Sequence, residues 1–319
     1  MKKILANDGI SPSGKQKLEE NGFDVITDTV DQVSLINAIN QEGYVGLIVR
    51  SATKVRADLM DACPGLKIVG RGGVGMDNID VQYGRDKGLH VVNTPGASAQ
   101  SVAELAMGTL FSMARFTYDA GRKMPVEGQD QFKSLKKTYG KGTELRGKTI
   151  GIVGFGGIGQ DLAKYALGCG MYVLYTALEE DDTTTLTLDI AAQQVDVVLR
   201  KRSMEEVLSS SDYISLHVPA QPDGSAVIGE KEFNTMKDGV CIVNTSRGGI
   251  VDEHALITAL DNGKVKAAAL DVFVNEPAPR QEVLVHPRII STPHIGGSTM
   301  EAQDRIGLEL ADQFIELLN

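Results

Sequence analysis

Arg247, Glu276 and His294 each stand a few residues after an apolar, β-prone run. The runs are Val240–Asn244, Ala267–Leu270 and Ile289–Ser291. The first leads into Thr245-Ser246-Arg247-Gly248-Gly249. The second leads into Asp271 and then Asn275-Glu276-Pro277, and the third into Thr292-Pro293-His294-Ile295-Gly296-Gly297. An earlier run, Tyr213–Leu216, is followed by His217-Val218-Pro219. In an open parallel sheet, ligands bind outside the carboxyl ends of the strands, so these segments are expected at one rim. Taken singly, each residue has a plain reading: Arg247 capping a helix or paired with Asp252, Glu276 in a turn before Pro277, His294 as a satisfied loop histidine. Three such placements in succession point instead to a site.

The residue types define a chemistry. Interconverting an alcohol and a ketone moves a hydride and a proton. An imidazole, which titrates near ~6.5 when unperturbed, suits the proton, and His294 is the expected acid–base. A carboxylate beside it stabilises the imidazolium and fixes the ring tautomer, a role that fits Glu276. A guanidinium grips a substrate carboxylate by a two-pronged contact and polarises the adjacent oxygen, a role that fits Arg247. The expected substrate is an α-hydroxy or α-keto acid.

The hydride needs a carrier. Gly154-Phe155-Gly156-Gly157-Ile158-Gly159 directly follows the apolar run Thr149–Val153 and opens the helical stretch Asp161–Leu167. In that context the first glycine makes the turn, the second lets a pyrophosphate approach the backbone, and the third lets helix and strand pack closely. The helix N-terminus presents free N–H groups to the phosphates. An acidic residue is expected about 20 residues on, to hold the ribose hydroxyls. Thr176 and Ala177 stand there instead, followed by Glu179, Glu180, Asp181 and Asp182. One of these acids reaching back to the ribose and a solvated acidic turn are competing readings. Both place negative charge where a 2′-phosphate would sit, so the expected cofactor is NAD rather than NADP.

These segments belong to two series of alternating β and α elements. The first has strands at Ile4–Ala6, Val25–Thr27, Leu47–Arg50, Lys67–Gly70 and His90–Asn93, with helices such as Pro12–Asn21 and Ala57–Ala62. Ser98–Ala114 carries Val102, Leu105, Ala106, Leu110 and Met113 at helical spacing. Gly121–Lys148 is polar, with little periodicity, and reads as a surface excursion. The second series has strands at Thr149–Val153, Tyr172–Tyr175, Tyr213–Leu216, Val240–Asn244, Ala267–Leu270 and Ile289–Ser291, the count for a doubly wound dinucleotide-binding sheet. A last helix, Glu301–Leu318, places Ile306, Leu310, Phe314 and Leu317 on one face. The fold class expected is α/β with two parallel sheets, each covered on both faces.

Composition narrows the function classes. The 319 residues carry 32 Lys and Arg against 42 Asp and Glu, a net charge of −10. A nucleic-acid binder would show a basic stripe, and the one basic patch is Lys133, Lys136, Lys137 and Lys141. Cys63, Cys169 and Cys241 are far apart, without zinc-type spacing, so no metal is expected and the thiols suit a reducing compartment. The N-terminal apolar run is too short for a signal peptide, and none approaches the ~20 residues of a membrane span. A cytoplasmic location is expected.

At this point the chain resembles the D-isomer-specific 2-hydroxyacid dehydrogenases over essentially its whole length. The motifs are Gly154–Gly159, His217-Val218-Pro219, Asn244–Gly249, Leu270–Pro277 and Pro293–Gly297. The resemblance implies catalytic roles for Arg247, Glu276 and His294. It implies cofactor contacts for Gly154, Gly156, Gly157, Ile158, Gly159, His217, Val218, Pro219, Thr245, Ser246, Arg247, Asp271, His294, Gly296 and Gly297, with Asp271 at the nicotinamide amide. Within the family, Arg50–Val55, Gly72–Asp80 and Ser101–Ala106 are most similar to the 3-phosphoglycerate dehydrogenase branch. That makes Arg50, Ser51, Gly73, Val74 and Gly75 substrate-binding candidates beside Arg247.

The resemblance also implies an architecture. A Rossmann NAD-binding domain over 98–291 is expected, with a discontinuous flavodoxin-like substrate domain from 1–97 plus 292–319. A homodimer is expected through the excursion after the long helix. Lys133–Lys141 lies in that excursion and reads first as a solvated basic face; attraction of a phosphorylated substrate is the alternative. The expected reaction is oxidation of a D-2-hydroxy acid, foremost 3-phosphoglycerate. A short form without a C-terminal regulatory domain is expected to resist serine inhibition. The alternatives are a glyoxylate, hydroxypyruvate or D-lactate reductase and, in another class, an NAD-sensing corepressor-like binding protein.

Overall fold

The computed structural model describes residues 1–178 and 181–319. Among these residues the chain begins β1 (Lys2–Ala6), α1 (Pro12–Glu20), β2 (Phe23–Ile26), α2 (Leu35–Glu42), β3 (Tyr44–Val49), α3 (Ala57–Ala62), β4 (Ile68–Arg71), α4 (Val81–Asp86) and β5 (His90–Asn93). It continues through α5 (Ala99–Arg115), α6 (Thr117–Tyr139), β6 (Thr149–Val153), α7 (Gly157–Gly168), β7 (Tyr172–Thr176), β8 (Thr183–Ile190), β9 (Gln193–Arg200), α8 (Met204–Ser210) and β10 (Tyr213–Leu216). It closes with α9 (Glu230–Thr235), β11 (Val240–Asn244), α10 (Glu253–Asp261), β12 (Val265–Leu270), α11 (Gln281–Leu284), β13 (Ile289–Ser291) and α12 (Met300–Leu318). Two compact units result: residues 1–101 with 297–319, and residues 102–296. The units change over at 101/102 and 296/297, a few residues beyond the boundaries expected at 97/98 and 291/292.

The first unit holds a parallel sheet in the order β2-β1-β3-β4-β5, the flavodoxin-like arrangement. Its strands are short apolar runs because both faces are covered. Helix α12 closes one face: Ile306, Leu310, Ala311, Phe314 and Leu318 pack with Ile4, Ile48 and Ile68. Leu318, rather than the expected Leu317, takes the last core position. Helices α1 and α12 cross closely, since a Cβ on Gly14 would sit 2.5 Å from the Gly307 carbonyl. Both glycines are needed for that approach.

The second unit holds six parallel strands in the order β13-β12-β11-β10-β6-β7. Strands β10 and β11 are buried at every position. The order reverses between β6 and β10, which makes the carboxyl ends of those two strands the switch point where a ligand binds. Beyond β7, the place of a further parallel strand is taken by a single bridge, Tyr175 to Lys201. The chain reaches it through an antiparallel hairpin, β8 to β9. The hairpin turn is Ala191-Ala192, both with positive φ, +47° and +65°. A two-residue turn of this hand favours Asn-Gly or Asp-Gly, so the sequence carries no hairpin signal, and only the biased run Asp181–Thr185 stands out.

The segment 121–148, expected as a surface excursion with little periodicity, is largely helical. Helix α6 runs through Pro125 and has one non-helical residue, Gln131. Its periodicity is weak because only Gly128 and Leu135 are buried. Met124, Val126 and Phe132 are exposed instead. No helix among the described residues is long and apolar enough to cross a membrane, and the three cysteines are free thiols.

Candidate active site

The glycine-rich turn joins β6 to α7 in the second unit. Gly154 has φ +91°, and a Cβ there would lie 2.3 Å from the His217 carbonyl oxygen and 2.8 Å from Val218. The turn and the His217-Val218 segment therefore press together, with Pro219 next in the chain. Gly159 faces inward, where a Cβ would sit 2.4 Å from the Gly154 carbonyl oxygen. Gly156 faces open space and caps α7, with Gly157 and Ile158 in its first turn. A close-packed first and third glycine with an open second one is the cradle a pyrophosphate requires.

Two buried polar atoms at neighbouring strand ends make no hydrogen bond among the described residues: His217 Nδ1 and Thr245 Oγ1. Buried polar groups rarely go without a partner, so these atoms fit a bound dinucleotide. His217 Nε2 lies 2.8 Å from Ser215 Oγ, and burial lowers the His217 pKa to about 4. The ring is neutral at physiological pH.

The three expected catalytic residues follow adjacent strands β11, β12 and β13. The β11 turn is built by Asn244, whose Oδ1 accepts from Ser246 N and Ser246 Oγ and whose Nδ2 donates to Arg247 O. That wraps the chain so that Thr245, Ser246 and Arg247 leave the strand in a fixed order. Arg247 Nη1 donates to Ser246 O at 2.7 Å. Asp252, the alternative partner considered for Arg247, caps α10 by accepting from His254 N and Ala255 N.

Asp271, 2% exposed, ties the loop after β13 to the end of β12. Its Oδ1 accepts from Thr292 Oγ1 and Ile295 N, and its Oδ2 accepts from Gly296 N. His294 sits between these anchors with φ +54°, a left-handed conformation uncommon for histidine and held by its surroundings. His294 Nδ1 lies 2.8 Å from Glu276 Oε2. An ionised carboxylate only accepts, so Nδ1 carries the proton and Nε2 is the nitrogen left for a substrate.

The remaining expected residues lie in the first unit. Arg50 and Ser51 follow β3, and Asp8 Oδ2 accepts from the backbone N–H of Arg50 and of Thr53. Asn78 Nδ2 donates to the carbonyls of Arg50 and Thr53, which locks the loop from its other side. Gly73, Val74 and Gly75 follow β4. Gly73 has φ +136° and lies directly against the Arg71 guanidinium, while Asn93 Nδ2 donates to Val74 O. Gly297 also belongs to this unit and packs on Ser98.

Residues 107–296 match the family described as D-isomer specific 2-hydroxyacid dehydrogenase, NAD binding domain. A hydroxypyruvate reductase of Thermotoga maritima is 41% identical over 320 residues, covering 99% of this chain and 98% of that protein. The chain belongs to the D-isomer-specific 2-hydroxyacid dehydrogenase family. The dehydrogenase is also 38% identical over 320 residues to a D-3-phosphoglycerate dehydrogenase of Rattus norvegicus, but spans only 57% of that relative's length. Among solved structures, the TT0316 protein of Thermus thermophilus matches with a TM-score of 0.84 at 29% identity, covering 99% of this chain and 96% of that one. The dehydrogenase binds NAD through its second unit and interconverts a D-2-hydroxy acid with its 2-keto acid.

Several residues at or near these strand ends are not singled out by the sequence. Asn244 reads as the end of a strand, and its role emerges only from the turn it closes. Glu253 reads as an ordinary residue opening a helix, and Arg71 lies one residue beyond the strand end expected at Gly70. The rule that singles out Arg247 applies equally to Arg71, since Val49 and Arg71 are paired ends of β3 and β4. Of the acids proposed for the ribose, Glu179 and Glu180 lie outside the described residues, and Asp181 and Asp182 precede β8. Lys133, Lys136, Lys137 and Lys141 are exposed, on α6 and just beyond it.

Proposed function

We propose that this dehydrogenase acts chiefly as an NADH-dependent reductase of hydroxypyruvate or glyoxylate, with Arg247, Glu276 and His294 as its catalytic residues. The observation that carries the mechanism is the Glu276–His294 pair. The glycine-rich turn 154–159 would hold NADH, which when bound would supply the hydride. Arg247 holds the substrate carboxylate and polarises the neighbouring carbonyl. His294 Nε2 gives its proton to the carbonyl oxygen as charge develops there. Glu276 supports the imidazolium before transfer and keeps the ring in one tautomer.

The substrate assignment rests on the relatives. The hydroxypyruvate reductase is 41% identical over 320 residues and the phosphoglycerate dehydrogenase 38%. Oxidation of 3-phosphoglycerate is the second reading. It is favoured by two guanidiniums, Arg50 and Arg71, at the ends of neighbouring strands in the first unit. In either case Arg50 and Ser51, with Gly73, Val74 and Gly75, are proposed to recognise the end of the acid remote from the reacting carbon.

Steady-state kinetics with hydroxypyruvate, glyoxylate, phosphohydroxypyruvate and pyruvate, each with NADH and NADPH, tests the proposal. The highest kcat/KM is expected for hydroxypyruvate or glyoxylate with NADH. A preference for phosphohydroxypyruvate would establish the second reading, and comparable rates with NADPH would refute the cofactor assignment. A homodimer is proposed through α5 and α6, where Phe111, Tyr118, Met124, Val126 and Phe132 are exposed, apolar side chains of the kind that mark an interaction surface. Light scattering giving a monomer would refute it.

A further inference from the structure

Glu253 opens α10 and is 6% exposed, yet the chemistry above gives it no task. Its Oε1 accepts from Val274 N at 2.9 Å. Its Oε2 faces Arg280 Nη1 at 3.9 Å. Arg280 Nη2 in turn lies 3.1 Å from His254 Nδ1, also on α10, and contacts Glu282. Glu253 thus holds the Val274 end of the segment 274–280 by a hydrogen bond, while its Oε2, without a hydrogen bond among the described residues, faces Arg280 at the other end as a long ion pair. Within that segment Asn275 has φ +63°, and Phe273 N donates to Glu276 Oε1 at 2.9 Å. Glu276 Oε2 then reaches His294. Gly248 abuts the same turn, for a Cβ there would sit 1.9 Å from the Phe273 carbonyl oxygen.

We infer that Glu253 is a positioning residue for the reaction: it fixes the Phe273–Glu276 turn so that the Glu276 carboxylate meets the His294 ring. Asn275 is left-handed, which asparagine tolerates well, so the position of the turn is set by the contacts on its two sides. Val274 N is the hold on the α10 side. A buried carboxylate is expensive, and the one hydrogen bond Glu253 makes among the described residues goes to Val274 N. Gln preserves length and an acceptor oxygen for Val274 N. Asp preserves charge but falls one methylene short.

This inference rests on the catalytic reading of Glu276 and His294, and the test separates the two. kcat and KM for the keto acid are measured for Glu253→Asp, Glu253→Gln, Glu276→Gln and the Glu253→Asp/Glu276→Gln double variant, with NADH affinity followed by fluorescence. Glu253→Asp is expected to lower kcat about tenfold with NADH affinity unchanged, and Glu253→Gln to restore most of it. Because Glu253 acts through Glu276, the double variant should lose no more than Glu276→Gln alone, within about twofold. Losses that multiply would overturn the inference, as would a wild-type kcat for Glu253→Asp. If Glu253→Asp does not fold, Glu253→Gln decides: near-wild-type kcat supports the role of the acceptor oxygen, and a Glu276→Gln-like loss overturns it. A Glu276→Gln variant with undiminished kcat would refute the catalytic reading instead.

Discussion

The Glu276 carboxylate and the His294 imidazole meet at 2.8 Å from loops that follow two neighbouring strands. Neither side chain is deeply buried: 47% of His294 and 35% of Glu276 remain exposed. An exposed pair of this kind contributes little to stability, which accords with the acid–base role proposed for it. His294→Ala should lower kcat by about 10²–10⁴-fold, the usual worth of a general acid–base, with NADH affinity retained. Single-turnover rates and fluorescence titration check both halves, and unchanged turnover would overturn the mechanism.

Arg247→Lys keeps the charge and loses the planar two-pronged grip. A charge-assisted hydrogen bond is worth about 1.5–3 kcal/mol, so kcat/KM for the keto acid should fall by about 10–10²-fold. A variant with wild-type kcat/KM would remove Arg247 from the substrate's carboxylate.

Gly159→Ala tests the cofactor cradle. The new methyl group would sit 2.4 Å from the Gly154 carbonyl oxygen, so β6 and α7 must separate. Overpacking costs about 1–3 kcal/mol, and the shifted turn should also raise KM for NADH. Thermal melts and steady-state kinetics read the two effects. A variant with unaltered Tm and KM would mean the strand–helix contact is looser than its geometry indicates.

His217 gives a pH dependence with a definite sign. Burial lowers its pKa from 6.5 to about 4, so the unfolded chain takes up the proton first as pH falls. The neutral ring's full contribution to stability is present above ~6.5 and drains away as pH drops toward about 4. Replacing it with a residue that does not titrate removes that loss. The stability of His217→Asn should therefore fall less steeply than wild type between pH 7 and pH 5, measured by denaturant melts. Parallel slopes would show that the ring is hydrated.

Much of the fold was legible because a parallel strand covered on both faces must be a short, unbroken apolar run. β6, β10 and β11 have this form, and the glycine-rich turn at 154–159 needed only its place between strand and helix. Two elements resisted for physical reasons. Helix α6 buries almost nothing within this chain, so it has no apolar stripe to read. The β8–β9 hairpin turns on two alanines with positive φ, which local preference disfavours.

The sequence by itself determined which residue types stand at the strand ends, and therefore the chemistry proposed for Arg247, Glu276 and His294. Strand order, loop closure and side-chain reach are non-local. Only the tertiary structure decided that Glu276 and His294 touch, that Asp271 clamps the histidine loop, and that Asn244 and Glu253 shape the turns on either side. A hydrogen bond between residues 18 to 25 positions apart leaves no local pattern in the chain, because what brings its partners together is the pairing of the strands beneath them.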